Sequence, residues 1–326
     1  MKHVFLINPK AGQGEATDLE AEIKTQTELR GLIYTADQKR GVLYPDEYDV
    51  FIYFTKSVGD AERYVRFFCK VLEEKKERIR FYACGGDGTL NEVVNGCYGF
   101  AFAEAACIPS GTGNDYVRCY PDAGDFHDVG AQMDGTAVDS DLIRYKVEGE
   151  RSRYCINMFN IGLDCNVVDL TAKMKKVPMV MGSFAYYLSV LVMLIGKKGA
   201  DLRVEYDDGF VYDDKLLLIA IANGIYCGGG VKGIPKAITN DGLIDVSLVK
   251  KASRRDFVHM FGKYKKGTHL EDKRAKEMFI YKKCKSLTVT PRNGEMKLCV
   301  DGEITIAGRT AFQIVPDAIR FSVPAK

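Results

Sequence analysis

Two glycine-rich stretches in the first third of the chain carry acids where phosphate chemistry could use them. They are Gly85-Gly86-Asp87-Gly88-Thr89-Leu90-Asn91-Glu92 and Pro109-Ser110-Gly111-Thr112-Gly113-Asn114-Asp115. Each follows an apolar run that reads as a strand, and each is expected to open a helix. At such junctions free backbone N–H groups and the helix dipole favour an anion. Glycine lets the backbone approach phosphate oxygens with no Cβ in the way. A carboxylate beside a phosphate is unfavourable unless a cation lies between them. Asp87 and Asp115 therefore point to Mg²⁺, which keeps several waters and needs only one or two protein carboxylates. A tight βα turn of any doubly wound fold would explain either loop alone, and an acid in both weakens that reading. Neither stretch is Gly-x-x-x-x-Gly-Lys-Ser/Thr, and Gly12-x-Gly14 lacks the third glycine of a dinucleotide fingerprint.

The elements that must hold these loops are legible as strand–helix alternation. Val4–Ile7, Val50–Phe54, Arg80–Cys84 and Ala105–Ile108 read as buried strands. A helix is expected from about Glu15 to Leu29, and another near Leu90. Val58, Ala61, Val65, Phe68 and Leu72 recur at helical spacing on one face. Short connections between such elements imply a parallel sheet covered on both sides. After about residue 135 period-two patterns take over: Leu287/Val289, Met296/Leu298/Val300 and Ile319/Phe321/Val323. Turn signals at Asp208-Gly209, Asn240-Asp241-Gly242, Asn293-Gly294 and Asp301-Gly302 separate them. The expected architecture is an N-terminal doubly wound α/β nucleotide-binding domain over 1–135 and a C-terminal β-sandwich over 136–308. The site is expected in the cleft between them. Residues 309–326 either return to the first domain, the favoured reading, or close the sandwich.

Composition narrows the class. The chain has 326 residues, 46% hydrophobic and 28% charged, with a net charge of +2. That excludes disorder and a nucleic-acid binder working by bulk positive charge. Ten cysteines without a Cys-x-x-Cys pair read as mostly buried free thiols of a reducing cytoplasm. The start, MKHVFLINPK, has no apolar stretch long enough for a signal peptide before Asn8 and Pro9. Residues 177–196 carry no charge and could span a bilayer by length, but Pro178, Gly182, Ser183, Tyr186, Tyr187 and Ser189 dilute them. A buried or groove-forming helix over Ser183–Ile195 fits better. Residues 250–285 hold thirteen Lys/Arg against four Asp/Glu. That run reads equally as a solvated helical face or as a contact for an anionic membrane. His3, His127, His259 and His269 show no metal-ligand spacing.

Gly85–Thr89 resembles the GGDGT signature shared by diacylglycerol, sphingosine and NAD kinases and phosphofructokinases. A longer set is more selective: Asn8-Pro9-Lys10-Ala11-Gly12, Thr55, GGDGTLNEVVNG (85–96), PSGTGND (109–115), NIGLDCNVV (160–168), NGIYCGGG (223–230), NDGLID (240–245), VDGE (300–303) and VPDAIRFSVP (315–324). In that order they resemble a soluble bacterial-type diacylglycerol/lipid kinase over nearly the whole chain. The stretches 31–48 and 250–285 are its least family-like parts. The resemblance implies that ATP meets Asn8, Pro9, Lys10, Ala11, Gly12, Thr55, Gly85, Gly86, Asp87, Gly88, Thr89, Leu90, Asn91, Glu92, Ser110 and Thr112. Asp87 and Asp115 would hold the catalytic Mg²⁺, and Asp301 would be the general base with Glu303 beside it. Ile238, Asp241 and Leu243 would hold a second, structural Mg²⁺. Read from residues alone, Asp301-Gly302 is rather a favoured hairpin turn, and Asn240-Asp241-Gly242 can be an ordinary turn.

The expected function is ATP- and Mg²⁺-dependent phosphorylation of a lipid alcohol, diacylglycerol foremost, by a cytoplasmic protein touching the inner membrane surface. A sphingoid-base or other lipid kinase, an NAD kinase-like enzyme and a catalytically silent binding protein are the alternatives. No nucleic-acid partner is expected, and the oligomeric state, a homodimer included, is left open.

Overall fold

The computed structural model describes residues 1–12, 16–162, 199–250 and 253–326. They form two compact units, Met1–Asp141 with Asp317–Lys326, and Leu142–Pro316. The expected helix Ser183–Ile195, the expected start of the first helix at Glu15, Cys165 and most of the motif at 160–168 lie outside the described residues. Among the described residues no helix is long and apolar enough to cross a membrane.

In the first unit, β1 (Lys2–Ile7), β3 (Val50–Phe54), β4 (Ile79–Gly85) and β5 (Ala103–Pro109) are buried almost without interruption. Parallel strands covered on both faces must be apolar on both. With the short β2 (Tyr34–Thr35) they run β2-β3-β1-β4-β5, every pair parallel. The order reverses at β1, where the chain has placed β2 and β3 on one side and then crosses to β4 on the other. In such sheets ligands bind beyond the carboxyl ends of the strands at this reversal. The loops after β1 and β4 both leave there.

The helices of this unit are α1 (Ala16–Leu29), α2 (Gln38–Leu43), α3 (Asp60–Val71), α4 (Asp87–Cys97) and α5 (Val129–Met133). Ala61, Val65, Phe68 and Leu72 are buried on α3 as their spacing requires, but Val58 is 80% exposed. It precedes the helix, which starts after Gly59. Helix α4 begins at Asp87 rather than near Leu90, so the glycine-rich motif is itself the first turn. The second glycine-rich loop opens only a four-residue 3-10 turn, Tyr116–Cys119. Pro121 follows Tyr120 and cannot continue a helix.

The second unit is a β-sandwich. Its strands include β7 (Arg153–Cys155), β8 (Met158–Gly162), β9 (Ala200–Tyr206), β10 (Val211–Ala222), β11 (Ile244–Lys250), β12 (Phe279–Cys284), β13 (Ser286–Pro291), β14 (Met296–Val300) and β15 (Glu303–Ala307). Alternate residues such as Leu202, Val204, Leu287, Val289 and Leu298 enter one core with Phe159, Ile219 and Val246. The opposite face of β8, β10 and β11 packs against α6 (Arg254–Lys266) and α7 (Ala275–Met278) through Met158, Leu218, Val249, Met260 and Met278.

Two long strands, β6 (Thr136–Val147) and β16 (Thr310–Val323), carry residues of both units. The division falls at Asp141/Leu142 and Pro316/Asp317, against 135/136 and 308/309 from the sequence. The texture changes where a long strand starts, whereas the division falls within it. The first residues of β16 pair with β13, and Arg320 and Phe321 pair in parallel with Glu104 and Ala105 of β5. One strand thus takes both courses open to residues 309–326.

Candidate functional site

In the first unit the carboxyl ends of β1, β4 and β5 bring three loops together. Asn8 follows β1, and its N–H donates to the Cys84 carbonyl on the neighbouring strand. Its side chain folds the loop back: Lys10 N–H donates to Oδ1 at 3.0 Å, while Nδ2 donates to Thr89 Oγ1 at 3.3 Å. Pro9, Lys10 and Gly12 are exposed, and Ala11 is partly so. Thr55, after β3, donates its N–H to Ile7 and stands beside the same loop.

The two glycine-rich loops are pressed backbone to backbone. A Cβ on Gly111 would stand 2.5 Å from Gly86 Cα, and a Cβ on Gly85 would stand 2.4 Å from Thr89 Oγ1. Ser110 N–H donates to the Gly85 carbonyl. Asp87 Oδ1 accepts the Asp115 N–H at 2.8 Å, and a Cβ on Gly113 would lie 2.6 Å from Asp87 Oδ2 and 3.5 Å from Asp115 Oδ2. Both acids therefore surround Gly113. Asn114, with φ +52°, closes the loop through Gly111. Arg118, absent from the sequence reading, donates to the Gly113 carbonyl and lies 3.9 Å from Asp115 Oδ1.

This arrangement suits a phosphate-bound Mg²⁺. Two carboxylates meet at a loop whose glycines leave the backbone bare, and Gly86, the N-cap of α4, has no side chain to fill the helix N-terminus. Among the described residues no group of three or more His, Cys, Asp or Glu could hold a metal. Two carboxylates with water and phosphate as the remaining ligands is the set Mg²⁺ accepts. Asn91 and Gly88 are partly exposed on α4, and Thr112 is exposed at the loop tip. Two residues of the motif serve the fold instead. Leu90 is 2% exposed, in the core. Glu92 accepts the Gly59 and Ala61 N–H groups at 2.7 and 3.0 Å and so caps α3.

In the second unit Asp301 and Glu303 flank the β14–β15 hairpin, with Val300 opposite Glu303. The turn is Asp301-Gly302, both with positive φ, +45° and +91°. The hairpin reading is thus correct as geometry. Its first residue, however, does not point to solvent as a plain turn would have it. Asp301 is buried at 8% exposure, and its Oδ1 accepts the Met158 N–H at 2.8 Å and the Cys155 thiol at 3.2 Å. Asp301 N–H donates to the Met158 carbonyl. Burial first, and then the Asp301 charge, push the Cys155 thiol well above its ordinary range, so it stays a donor. Glu303 is exposed. Neither Cys155 nor Met158 was visible as a partner in the sequence, because their contact spans more than 140 residues.

Asp241 lies in the turn before β11. Its Oδ1 accepts the Leu243 N–H at 3.1 Å, while Lys283 Nζ approaches Oδ2 at 2.6 Å. Ile238 is 52% exposed. Asp245, opposite Lys283, accepts Tyr281 Oη–H at 2.6 Å, and burial raises its carboxyl to about 6 against these partners. Basic residues between 250 and 285 are partly committed: Lys263 to Asp272, Lys282 to Asp208, Lys283 to Asp241. Arg255, Lys265 and Lys266 are exposed residues of α6. His3 accepts or donates with Tyr82, His259 pairs with Asp272, and His269 is buried. The described cysteines are free thiols, buried except for Cys119 and Cys227.

A family model described as the diacylglycerol kinase catalytic domain matches residues 2–145, and one described as the YegS C-terminal NAD kinase beta sandwich-like domain matches 157–323. A diacylglycerol kinase of Staphylococcus saprophyticus is 32% identical over 267 residues, covering 78% of this chain and 79% of that one. One of Staphylococcus epidermidis is 32% identical over 264 residues, 78% and 76% of the two chains. A crystal structure of a diacylglycerol kinase from Bacillus anthracis superposes with a TM-score of 0.63 at 22% identity, over 99% and 96% of the chains. A second structure from that organism gives 0.70 at 24% identity, over 99% and 97%.

Proposed function

The chain belongs to the diacylglycerol kinase family, and from that premise we propose that it transfers the γ-phosphate of ATP, with Mg²⁺, to the hydroxyl of a membrane lipid alcohol. Diacylglycerol, giving phosphatidic acid, is the foremost acceptor. The observation that carries this reading is the backbone contact of Gly86 with Gly111, which holds Asp87 and Asp115 around one bare loop.

Mg²⁺ bound with ATP supplies charge neutralisation on the transferring phosphoryl group. Asp87 and Asp115 would hold that cation. The loops Asn8–Gly12, Gly85–Thr89 and Ser110–Thr112, with Thr55, orient the nucleotide. Asp301 accepts the proton of the acceptor hydroxyl as its oxygen bonds to the γ-phosphorus and the β–γ bridging bond breaks, releasing ADP. The Met158 N–H and the Cys155 thiol on Oδ1 hold that carboxylate in a fixed position. The lipid is met at the membrane surface, for which exposed Arg255, Val258, Lys265 and Lys266 on α6 offer charge and a shallow apolar contact.

The test is labelled ATP with Mg²⁺ against lipid alcohols in mixed micelles, with NAD as the water-soluble control. Label in phosphatidic acid, reduced about 10³-fold by Asp301→Asn, is the expected result. Label in a sphingoid base names another lipid acceptor on the same chemistry. Label in NAD, or equal turnover in Asp301→Asn, overturns the reading.

A further inference from the structure

The family pattern places a second Mg²⁺ on the loop Ile238–Leu243, held by the Asp241 carboxylate. In this chain that carboxylate is already engaged at both oxygens, Oδ1 by the Leu243 N–H and Oδ2 by Lys283 at 2.6 Å. Lys283 stands on β12 directly opposite Asp245 of β11, and its ammonium is also 3.2 Å from Asp245 Oδ2. Asp245 is fully buried, and Tyr281 Oη–H holds its other oxygen at 2.6 Å. The ammonium is thus seated between two carboxylates from the loop and the strand it leads into.

A Mg²⁺ ion would need the Asp241 oxygen at ~2.0–2.1 Å, closer than the ammonium already on it. The two cations would then share one oxygen with little water between them, and their repulsion would expel one. A tethered ammonium holds its place at any Mg²⁺ concentration, whereas Mg²⁺ sheds its own water reluctantly. We propose that Lys283 is the resident cation of the 238–245 loop, replacing the second Mg²⁺, so that this loop is pinned to the sandwich without metal. Any Mg²⁺ requirement of the protein is then confined to the nucleotide loops. That last clause rests on the proposed function; the replacement itself does not, and its test uses no nucleotide or substrate.

The experiment is thermal unfolding of the full chain in EDTA and in millimolar Mg²⁺, for wild type, Asp241→Asn, Lys283→Met and Lys283→Arg. The wild-type Tm is expected to be the same in both buffers. A Mg²⁺ shift that persists in Asp241→Asn comes from elsewhere and agrees with the proposal. Lys283→Met strands the carboxylate pair and is expected to lower Tm by about 5 °C or more in EDTA. Mg²⁺ should restore part of that loss, because the vacated place becomes a cation site, and Lys283→Arg should remain metal-indifferent. A wild-type Tm that falls in EDTA and is rendered indifferent by Asp241→Asn overturns the proposal. A Lys283→Met protein as stable as wild type and blind to Mg²⁺ overturns it too. If Lys283→Met does not fold, the wild-type and Asp241→Asn pair decides alone.

Discussion

The loops around Gly86 and the loops around Asp301 and Asp241 use one vocabulary of Gly, Asp and Asn for opposite constructions. In the first unit the site is made of backbone. Gly86 and Gly111 touch at Cα, and the acids are placed by the loops that carry them. In the second unit the turns are ordinary, and what distinguishes them is the side chain that reaches in from elsewhere. Cys155 and the Met158 N–H come to Asp301, and Lys283 comes to Asp241. A site built from backbone tolerates no added atom. A site built from side chains tolerates a change of turn residue but depends on its distant partner.

The sharpest way to break this contrast is an alanine in each turn. Gly111→Ala drives a Cβ to 2.5 Å from Gly86 Cα, so the loops must separate. Phosphotransfer should fall about 100-fold or more in steady-state assays, the effect of a ~1 Å misplacement. Gly302→Ala meets nothing within 4 Å among the described residues and is strained there only by its φ of +91°. It should cost ~1–2 kcal/mol in denaturant unfolding and leave activity within about tenfold. Equal losses from the two would erase the distinction.

Stability should differ in the same sense. Arg80 is buried with Glu104 and donates to the carbonyls of Gln132, Met133 and Gly135, which ties α5 to the sheet. Arg80→Met should cost ~3–5 kcal/mol by urea denaturation, since it strands three carbonyls and a buried carboxylate. A loss below ~1 kcal/mol would mean that Arg78 and Arg320, which also pair with Glu104, suffice.

Each unit also hides one histidine, which gives a comparison by pH. His3 in the first unit and His269 in the second are both lowered from 6.5 to about 4, first of all by burial. Between those values the unfolded chain binds a proton that the folded chain refuses. Stability is therefore full above pH 6.5 and falls as pH drops toward 4. The loss is on the order of 2 kcal/mol per histidine at pH 5. His269 packs against Tyr264 and Phe279, with no hydrogen-bond partner on either ring nitrogen among the described residues. His269→Phe should abolish the second unit's share of the loss between pH 7 and 5, measured by chemical denaturation. An unchanged pH slope would place the acid sensitivity elsewhere.

The smallest expected effect separates motif from mechanism. Glu92 belongs to the glycine-rich motif but caps α3 through Gly59 and Ala61. Glu92→Ala should cost ~1–2 kcal/mol of stability while leaving the KM for ATP unchanged. A raised KM with stability intact would return Glu92 to the nucleotide.

The strands of the first unit were legible because burial on both faces leaves continuous apolar runs, and β3 coincides with its expected range, Val50–Phe54. Sequence pattern puts the start of α4 near Leu90, three residues after its true start at Asp87, because a glycine-rich first turn argues against helix. Spacing alone puts Val58 on the α3 face, because it does not show that Gly59 takes φ +77° and that the helix starts after it. The turn Asp301-Gly302 was recognised, but not that its acid is buried.

By itself the sequence determined the alternation of strands and helices, the change to a β-rich second half, and the loops where a phosphate could meet bare backbone. Those properties depend on residue types at short spacing, and glycine in particular has no substitute at a close approach. Only the tertiary structure decided what each acid does. The partner of Asp301 is 143 residues away, and that of Asp241 is 42 residues away across a strand pairing. Strand register, which no local pattern encodes, sets which side chain arrives, and with it whether an acid in a turn faces solvent, a thiol or an ammonium.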